Sequence, residues 1–427
     1  MENVVIGAGP AGRVGSLELG KLDEDTILIE RKHIAGTCLN EGCMVINALT
    51  DVSRYLNNHK KYSNHGFIKG SVELDYKLLT QKIRETQEKL RVLEQKECEE
   101  AGNRVIFGEA TVNGDTVSVN GETFKFKNLM VATGGRPFIP DIEGSENAYV
   151  SSNMLDLEEV PEKMNIVGGG VIAAEMANIY SSYGAEVNVF VRSSFLKDLD
   201  YQIKDYVMKN LLGQVNIYEN TSVEEIRKDS IITSQGEFEG VTFICAGRVP
   251  NSEVVEDLVD LNPNRSIVVN EIMQTSIPNI YAAGDVTGGY TLTPVARMEG
   301  VTAARNMAGI FQKIDYSNIP QSITLDMPVS YVKAGNGVDT ESIKIPGLAG
   351  PEAFWNILNG RTGFTKIDFD VSDRSIENVY SISPSSVDDL AYAALFMKLG
   401  IDVEDFDKFV EVHPCTDAVS KILKYLY

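Results

Sequence analysis

Two cysteines, Cys38 and Cys43, stand in the stretch GTCLNEGC with four residues between them. The gap matches neither a zinc knuckle nor the two-residue spacing of a thioredoxin-type motif. Cysteines so placed could be a redox pair, two metal ligands or two buried thiols. Of the chain's four histidines, His413 has the most chemical setting. It lies in VEVHPCTD, where Pro414 suits the first position of a helix. His33, His59 and His65 fall in polar stretches and read as surface residues. Cys415 lies two residues beyond His413, where a small side chain packed in a first helical turn is expected. Cys98 and Cys245 read as structural thiols, one on a long helix and one in the apolar stretch VTFICAG.

A chain of 427 residues is too long for one ordinary core, so two or three domains are expected. Apolar content of 43% and charged content of 23% are globular values. The formal net charge of -22 disfavours nucleic acid as a partner and predicts repulsion from anionic membranes. No apolar run approaches the roughly 18 residues of a spanning helix. The start MENVVIGAGPAG lacks a basic region followed by an apolar core, so no secretory leader is expected. A cytoplasmic, reducing compartment follows. There a close cysteine pair points to catalysis or metal binding rather than a structural disulfide.

The elements that would position such a pair can be read next. NVVIGAGPAG is a β-branched run followed by Gly7, Gly9 and Gly12, and TILIE is a second strand ending in Glu30. Strand, glycine turn, helix and acid-terminated strand form a dinucleotide-binding βαβ unit, its acid 18 residues after Gly12. Gly7 makes the turn, Gly9 lets the backbone approach a pyrophosphate, and Gly12 lets helix pack on strand. The pattern recurs in MNIVGGGVIAAEMANIYSSYGAEVNVFVR, with Gly168, Gly170 and Ala173. Two units suggest two nucleotides. Glu30 suits a free ribose hydroxyl. Val191 followed by Arg192, with Lys197 nearby, suits a 2′-phosphate and so favours NADPH over NADH.

Between the units, Tyr76 to Glu100 reads as a long amphipathic helix with Leu79, Ile83, Leu90 and Leu93 as its apolar positions. RVIFGEATVNGDTVSVNGETFKF reads as a small antiparallel sheet. From about Ile319, strands are expected in QSITLDMPVSYVKAG, GFTKIDFDV and SIENVYSIS. Helices are expected over Val387 to Leu399 and Asp402 to Val412.

Several stretches then agree in kind and order: GAGPAG, GTCLNEGC, VATGGRPFIPDIEG, VGGGVIAAE, CAGRVPN, IYAAGDVTGGYTLTPVARMEG and VHP. On these the chain resembles the pyridine nucleotide–disulfide oxidoreductases of the lipoamide dehydrogenase, glutathione reductase and mercuric reductase type. The resemblance implies an α/β fold of two Rossmann-like domains and a C-terminal α+β dimerisation domain. The FAD-binding domain would comprise 1–147 and 270–318, the NAD(P)-binding domain 148–269, and the interface domain 319–427. It implies FAD at the first unit and NADPH (or NADH) at the second. Cofactor contacts would come from Gly7, Gly9, Pro10, Ala11, Gly12, Glu30, Arg31, Gly36, Thr37, Ala110, Thr133 and Gly134. They would continue through Gly168, Gly170, Val171, Ile172, Arg192, Lys197, Gly247, Arg248, Gly284, Asp285, Leu292, Thr293 and Pro294. The helix from Thr293 to Gly300 would point its N-terminus at the flavin.

Within that family Cys38–Cys43 would be the redox disulfide, Cys43 facing the flavin and Cys38 attacking a substrate disulfide. His413 would complete the partner subunit's site in a homodimer, acting as base and acid. Glu175 would belong to the catalytic set. The implied activity is dihydrolipoamide dehydrogenase-like. Reduction of another electrophile, such as a thioether, and a redox-sensing flavoprotein are the alternatives. Two departures stand out. The glutamate expected five residues after His413 is Ala418, with Asp417 rotated about 100° on a helix. The lysine expected to pair with Glu175 is Asn47, so Glu175 should have a raised pKa or accept a hydrogen bond from Asn47.

Overall fold

The computed structural model describes residues 1–334, 340–346, 350–372, 375–401, 408–413 and 417–425. Chain order opens with β1 (Glu2–Ile6), α1 (Pro10–Lys21) and β2 (Thr26–Glu30). The cysteine helices α2 (Gly36–Asn40) and α3 (Cys43–Asn64) come next, then the long α4 (Tyr76–Glu100). Strands β3 (Arg104–Phe107), β4 (Thr111–Asn113), β5 (Thr116–Val119) and β6 (Glu122–Val131) follow. All of these strands join one sheet in the order β3-β2-β1-β6-β5-β4. β1 lies parallel to both β2 and β6. RVIFGEATVNGDTVSVNGETFKF is therefore not one small antiparallel sheet. Its first part, β3, is a parallel edge strand on β2, and only β4, β5 and β6 pair antiparallel.

After β7 (Gly135–Pro137), the second unit runs β8 (Lys163–Val167), α5 (Val171–Ser182), β9 (Glu186–Val191), α6 (Tyr201–Tyr206) and β10 (Asn216–Glu219). Strands β11 (Val223–Ile226), β12 (Ser230–Thr233) and β13 (Gly236–Glu239) form a separate antiparallel sheet. β14 (Val241–Ile244) completes the parallel order β10-β9-β8-β14, and β15 (Arg248–Pro250) pairs with β7. The chain then returns to the first sheet: β16 (Ile280–Ala282) lies parallel to β6, and α7 (Thr293–Met307) packs on α1. The last sheet has the order β17 (Pro320–Ile323), β18 (Val329–Lys333), β21 (Ile376–Ile382), β20 (Phe364–Asp370), β19 (Thr340–Pro346). Helices α8 (Ala353–Leu358), α9 (Ser386–Leu399) and α10 (Asp417–Tyr425) accompany it. The expected helix over Asp402–Val412 is corrected: 402–407 lie outside the described residues, and 409–412 have no helical geometry.

The central parallel strands β1, β2, β8, β9, β14 and β16 are buried nearly throughout, as strands covered on both faces must be, whereas the edge strands β3 and β10 are not. Helix α4 is amphipathic in a different sense from the one its apolar residues suggest. Its buried positions are Tyr76, Thr80, Ile83, Gln87 and Cys98, whereas Leu93 is 61% exposed. A polar residue holds the centre of that stripe because backbone carbonyls face it.

One knot of hydrogen bonds ties three parts of the chain together. Asp326, between β17 and β18, accepts from Ser53 Oγ on α3 (2.9 Å), Asn178 Nδ2 on α5 (3.2 Å) and Asn57 Nδ2. Next to it, the Leu325 carbonyl accepts from Arg54 Nε (3.1 Å) and Nη2 (2.7 Å). Asp326→Ala strands the Ser53 and Asn178 donors and leaves Asn57 only Ser182 Oγ, each orphan costing about 1–3 kcal/mol. The variant should melt several degrees below the parent in a thermal scan; an unchanged Tm would show the knot to be dispensable.

Candidate active site

Cys38 lies in α2 and Cys43 begins α3; both are free thiols. Their helices are held from two sides. Asn40 Nδ2 donates to the carbonyls of Ile34 (3.0 Å) and Gly36 (2.8 Å), closing the loop on itself. From α4, Gln87 Nε2 donates to the carbonyls of Leu39 (2.9 Å) and Asn40 (3.0 Å), and Arg91 Nη1 donates to Asn40 Oδ1 (2.9 Å). These bonds satisfy the last carbonyls of a five-residue helix.

The N-terminus of α7 meets the pair. Thr293 Oγ1 stands 3.7 Å from Cys43 Sγ. The Cys43 thiol is pulled down to about 6: a hydrogen bond from Cys38 does most of this, burial opposes it, and the Thr293 hydroxyl adds to it. A helix N-terminus favours the thiolate in the same direction. Cys38 is pushed the other way, first by its hydrogen bond to Cys43 and then by burial, with Thr293 and the charge of Arg297 opposing. The pair therefore shares one proton, held by Cys38.

Two carboxyls near this centre pair with no cation among the described residues. Glu175 accepts from the Thr324 amide (2.8 Å), and burial raises it to about 7. Of the two outcomes expected for Glu175, the raised pKa is the one found. Asn47 is exposed and makes no hydrogen bond to Glu175. Position 47 lies one turn after Cys43 on α3 and is exposed as Cys43 is, and Glu175 is left to the Thr324 amide. Glu299, on α7, is fully buried and accepts from the Gly284 amide (2.6 Å) and the Tyr316 hydroxyl (2.8 Å); burial raises it to about 7 as well. Asp285 follows Gly284 and is raised by burial, with the Arg248 guanidinium, its Nε 3.4 Å away, opposing. Arg248 also donates from Nη2 to Thr37 Oγ1 (3.4 Å) and to the Gly135 carbonyl. Thr37, Cys38, Cys43, Arg248, Asp285 and Thr293 are thus assembled in one place.

The residues present fit nucleotides at both glycine turns. Gly7 takes φ +99°, where a Cβ would lie 2.3 Å from the Ala132 carbonyl oxygen. At Gly9 a Cβ would meet only Gly36 Cα, at 3.9 Å, and at Gly134, Gly170 and Gly247 nothing within 4 Å. Backbone is open there, as close approach of a phosphate or a ring requires. Pro10 and Ala11 begin α1, and Val171 and Ile172 begin α5, each behind its glycine turn. Glu30 is buried and accepts from the amides of Ala8 (2.8 Å) and Lys32 (2.7 Å), which aims the carboxylate at the end of β2. Thr133 Oγ1 donates to the Asn251 carbonyl (2.6 Å). Arg31 is exposed, 4.0 Å from Glu109, beside Ala110. Leu292 and Pro294 flank Thr293 at the head of α7. Arg192 and Lys197 are exposed and form no ion pair among the described residues.

A family model described as pyridine nucleotide-disulphide oxidoreductase matches residues 1–300. The chain belongs to this family. It is a flavin-dependent disulfide oxidoreductase, and membership implies FAD and a pyridine nucleotide. A dihydrolipoyl dehydrogenase of Mycoplasma pneumoniae is 30% identical over 96% of this chain and 95% of its own. A mercuric reductase of Lysinibacillus sphaericus is 29% identical over 94% of this chain and 78% of its own. The fold is shared with the HOCl-induced flavoprotein disulfide reductase RclA of Escherichia coli, solved as a Cu(II) complex of a cysteine-to-serine mutant. That likeness has a TM-score of 0.86 and 23% identity over 99% of this chain and 97% of the other. No helix among the described residues is long and apolar enough to cross a membrane.

In this pyridine nucleotide-disulphide oxidoreductase, His413 is expected at a partner subunit's site rather than beside its own chain's cysteines. His413 is exposed on the C-terminal segment, outside the contacts gathered around Cys43. Pro414, Cys415 and the side chains of Asp417 and Ala418 lie outside the described residues. Cys98 and Cys245 carry thiols that burial pushes up, to about 11 and about 12. Sequence reasoning missed Gln87, Glu299 and Thr324. Only Glu299 left a signal: an acid directly before Gly300, on the face of α7 that must pack against α1.

Two outcomes follow from the titrations. Alkylation of Cys43 should have its pH midpoint near about 6, and Cys38→Ala should move it to about 8 or above, towards an ordinary thiol. A midpoint that stays put in the variant would detach the Cys43 thiolate from Cys38. Glu175 and Glu299 are protonated more readily folded than unfolded. The stability they lend is complete below their ordinary value of 4.5 and is lost as pH rises through about 7. Glu175→Gln should therefore flatten the decline of Tm across that window. A Tm–pH curve parallel to the parent's would refute the assignment.

Proposed function

We propose that the chain reduces a small disulfide with electrons from NADPH or, less readily, NADH, in the manner of a dihydrolipoamide dehydrogenase-like enzyme. The observation that carries the reading is the hydrogen-bonded Cys38–Cys43 pair set against the N-terminus of α7. FAD, when bound, would relay two electrons between the pyridine nucleotide and this pair.

The residues divide the remaining work. Gly7, Gly9 and Gly12 with Glu30 hold the FAD pyrophosphate and ribose, and Asp285 meets the ribityl chain. Gly168, Gly170, Val171 and Ile172 receive the pyridine nucleotide. Arg192 and Lys197 present free cations for a 2′-phosphate. With the pair reduced, Cys38 gives up its proton and its sulfur attacks one sulfur of the substrate. The other substrate sulfur leaves as a thiol, taking a proton. Cys43, already the thiolate, then attacks Cys38 in the mixed disulfide, and the second substrate thiol departs. Each cycle thus consumes two electrons and two protons and ends with a Cys38–Cys43 disulfide. His413 of a partner subunit serves as proton donor and acceptor in a homodimer.

Anaerobic titration of the holoenzyme with NADPH and with NADH tests this directly. The expected result is a long-wavelength thiolate-to-flavin band, faster reduction by NADPH, and loss of disulfide turnover by at least about a thousandfold in Cys38→Ser. Reduction without that band would sink the disulfide route. Faster reduction by NADH, unaffected by Arg192→Ala, would overturn the role given to Arg192.

A further inference from the structure

The chain is strongly acidic, and nearly all its described arginines are engaged with carboxylates. Only Arg192, Arg297 and Arg361 have no such ion pair among the described residues. Arg192 is accounted for by the nucleotide, and Arg361 lies near Tyr206, away from the cysteines. Arg297 is different. It stands on α7 four residues after Thr293, so the two side chains share one face of the helix, a turn apart. Thr293 touches Cys43. Arg297 is exposed, and its charge acts on the Cys38 thiol. Arg305, two turns further along the same helix, is held by Glu18 at 2.7 Å. The cation that α7 sets one turn beyond Thr293 is thus left without a carboxylate among the described residues.

From this placement we propose that Arg297 is an anion-receiving residue beside Cys38, and that the substrate carries a carboxylate or similar anion close to the sulfur that Cys38 attacks. The substrate class narrows to anionic small disulfides, a step that rests on the disulfide reading of the site. The logic is one of contrast. A net charge of -22 repels anions over the whole surface. An anionic substrate therefore needs a local cation at the point of attack, and a neutral or cationic one does not. A guanidinium at that point also offers a two-pronged match to a carboxylate.

Two measurements on the reduced holoenzyme test the proposal. The first compares alkylation of Cys38 by iodoacetate and by iodoacetamide, located by mass spectrometry. Both form the same C–S bond and expel iodide, and they differ in charge. The iodoacetate-to-iodoacetamide rate ratio should fall at least about threefold in Arg297→Ala, the scale of one exposed ion pair. It should fall further in Arg297→Glu and recover in Arg297→Lys. A ratio indifferent to residue 297 overturns the proposal. The second compares turnover of dithiodiglycolate, a dicarboxylate, with that of hydroxyethyl disulfide, which is uncharged. Arg297→Ala should raise KM for the former more than for the latter; equal losses on both would mean a structural role only and overturn the proposal. If neither disulfide is reduced yet the alkylation ratio still follows residue 297, the disulfide reading fails and the anion site stands.

Discussion

A helix crossing made backbone against backbone governs the site. Where α7 crosses α1, a Cβ on Gly300 would sit 2.1 Å from the Ala11 carbonyl oxygen, and one on Gly15 would sit 2.9 Å from the Gly300 carbonyl oxygen. Only backbone meeting backbone allows this approach. It locks two helix N-termini into one frame. The head of α1 sits at the first glycine turn, and the head of α7 sits at Cys43. Arg305 of α7 and Glu18 of α1 bind the far side of the crossing at 2.7 Å. A shift of one helix on the other would move Thr293 from the thiolate and the phosphate turn from its partner together.

Around this frame the protein keeps negative charge near the cysteines and uses neutral donors to manage it. Glu175, Glu299 and Asp285 are all raised, each chiefly by burial. Two of the three lean on backbone amides or a hydroxyl where a cation could have stood. Glu175 and Glu299 take up protons near neutral pH, which would let the centre change its electron count with little net change of charge. The carboxyl of Glu299 also holds the Gly284 amide, and so sets the start of the turn that carries Asp285. Its contribution is to position, through backbone, a residue it does not touch.

The parts legible from sequence are those where backbone geometry dictates residue type. Both glycine turns, the acid at the end of β2 and the exposed cations after β9 were readable because a turn, a ribose or a phosphate each demands a particular side chain. The site's other half depends on partners far along the chain. Gln87 lies 48 residues from the Leu39 carbonyl it holds, and periodicity marked its helix face as apolar. Strand β3 was assigned to a hairpin run because its residues alternate like their neighbours, yet the edge of β2 was open to it. Asn47 was readable as a missing cation, but not that Glu175 would go without a hydrogen bond from it.

That last point bears on how the site works. If Asn47 had neutralised Glu175 by a hydrogen bond, the carboxyl would be a passive member of a polar pair. Instead it is held by a backbone amide, that of Thr324 in the connection between β17 and β18 of the last sheet, and feels the charge on Cys43. Thr324 lies two residues from Asp326, whose hydrogen bonds join α3 and α5. The protonation of Glu175, the charge on Cys43 and the anchoring of the C-terminal sheet therefore meet in one short segment. A group with no cation of its own among the described residues responds to the charge of its neighbour, and here that neighbour is the Cys43 thiolate. On the disulfide mechanism proposed above, a titrating acid in that place would make proton uptake follow the redox state of the cysteines.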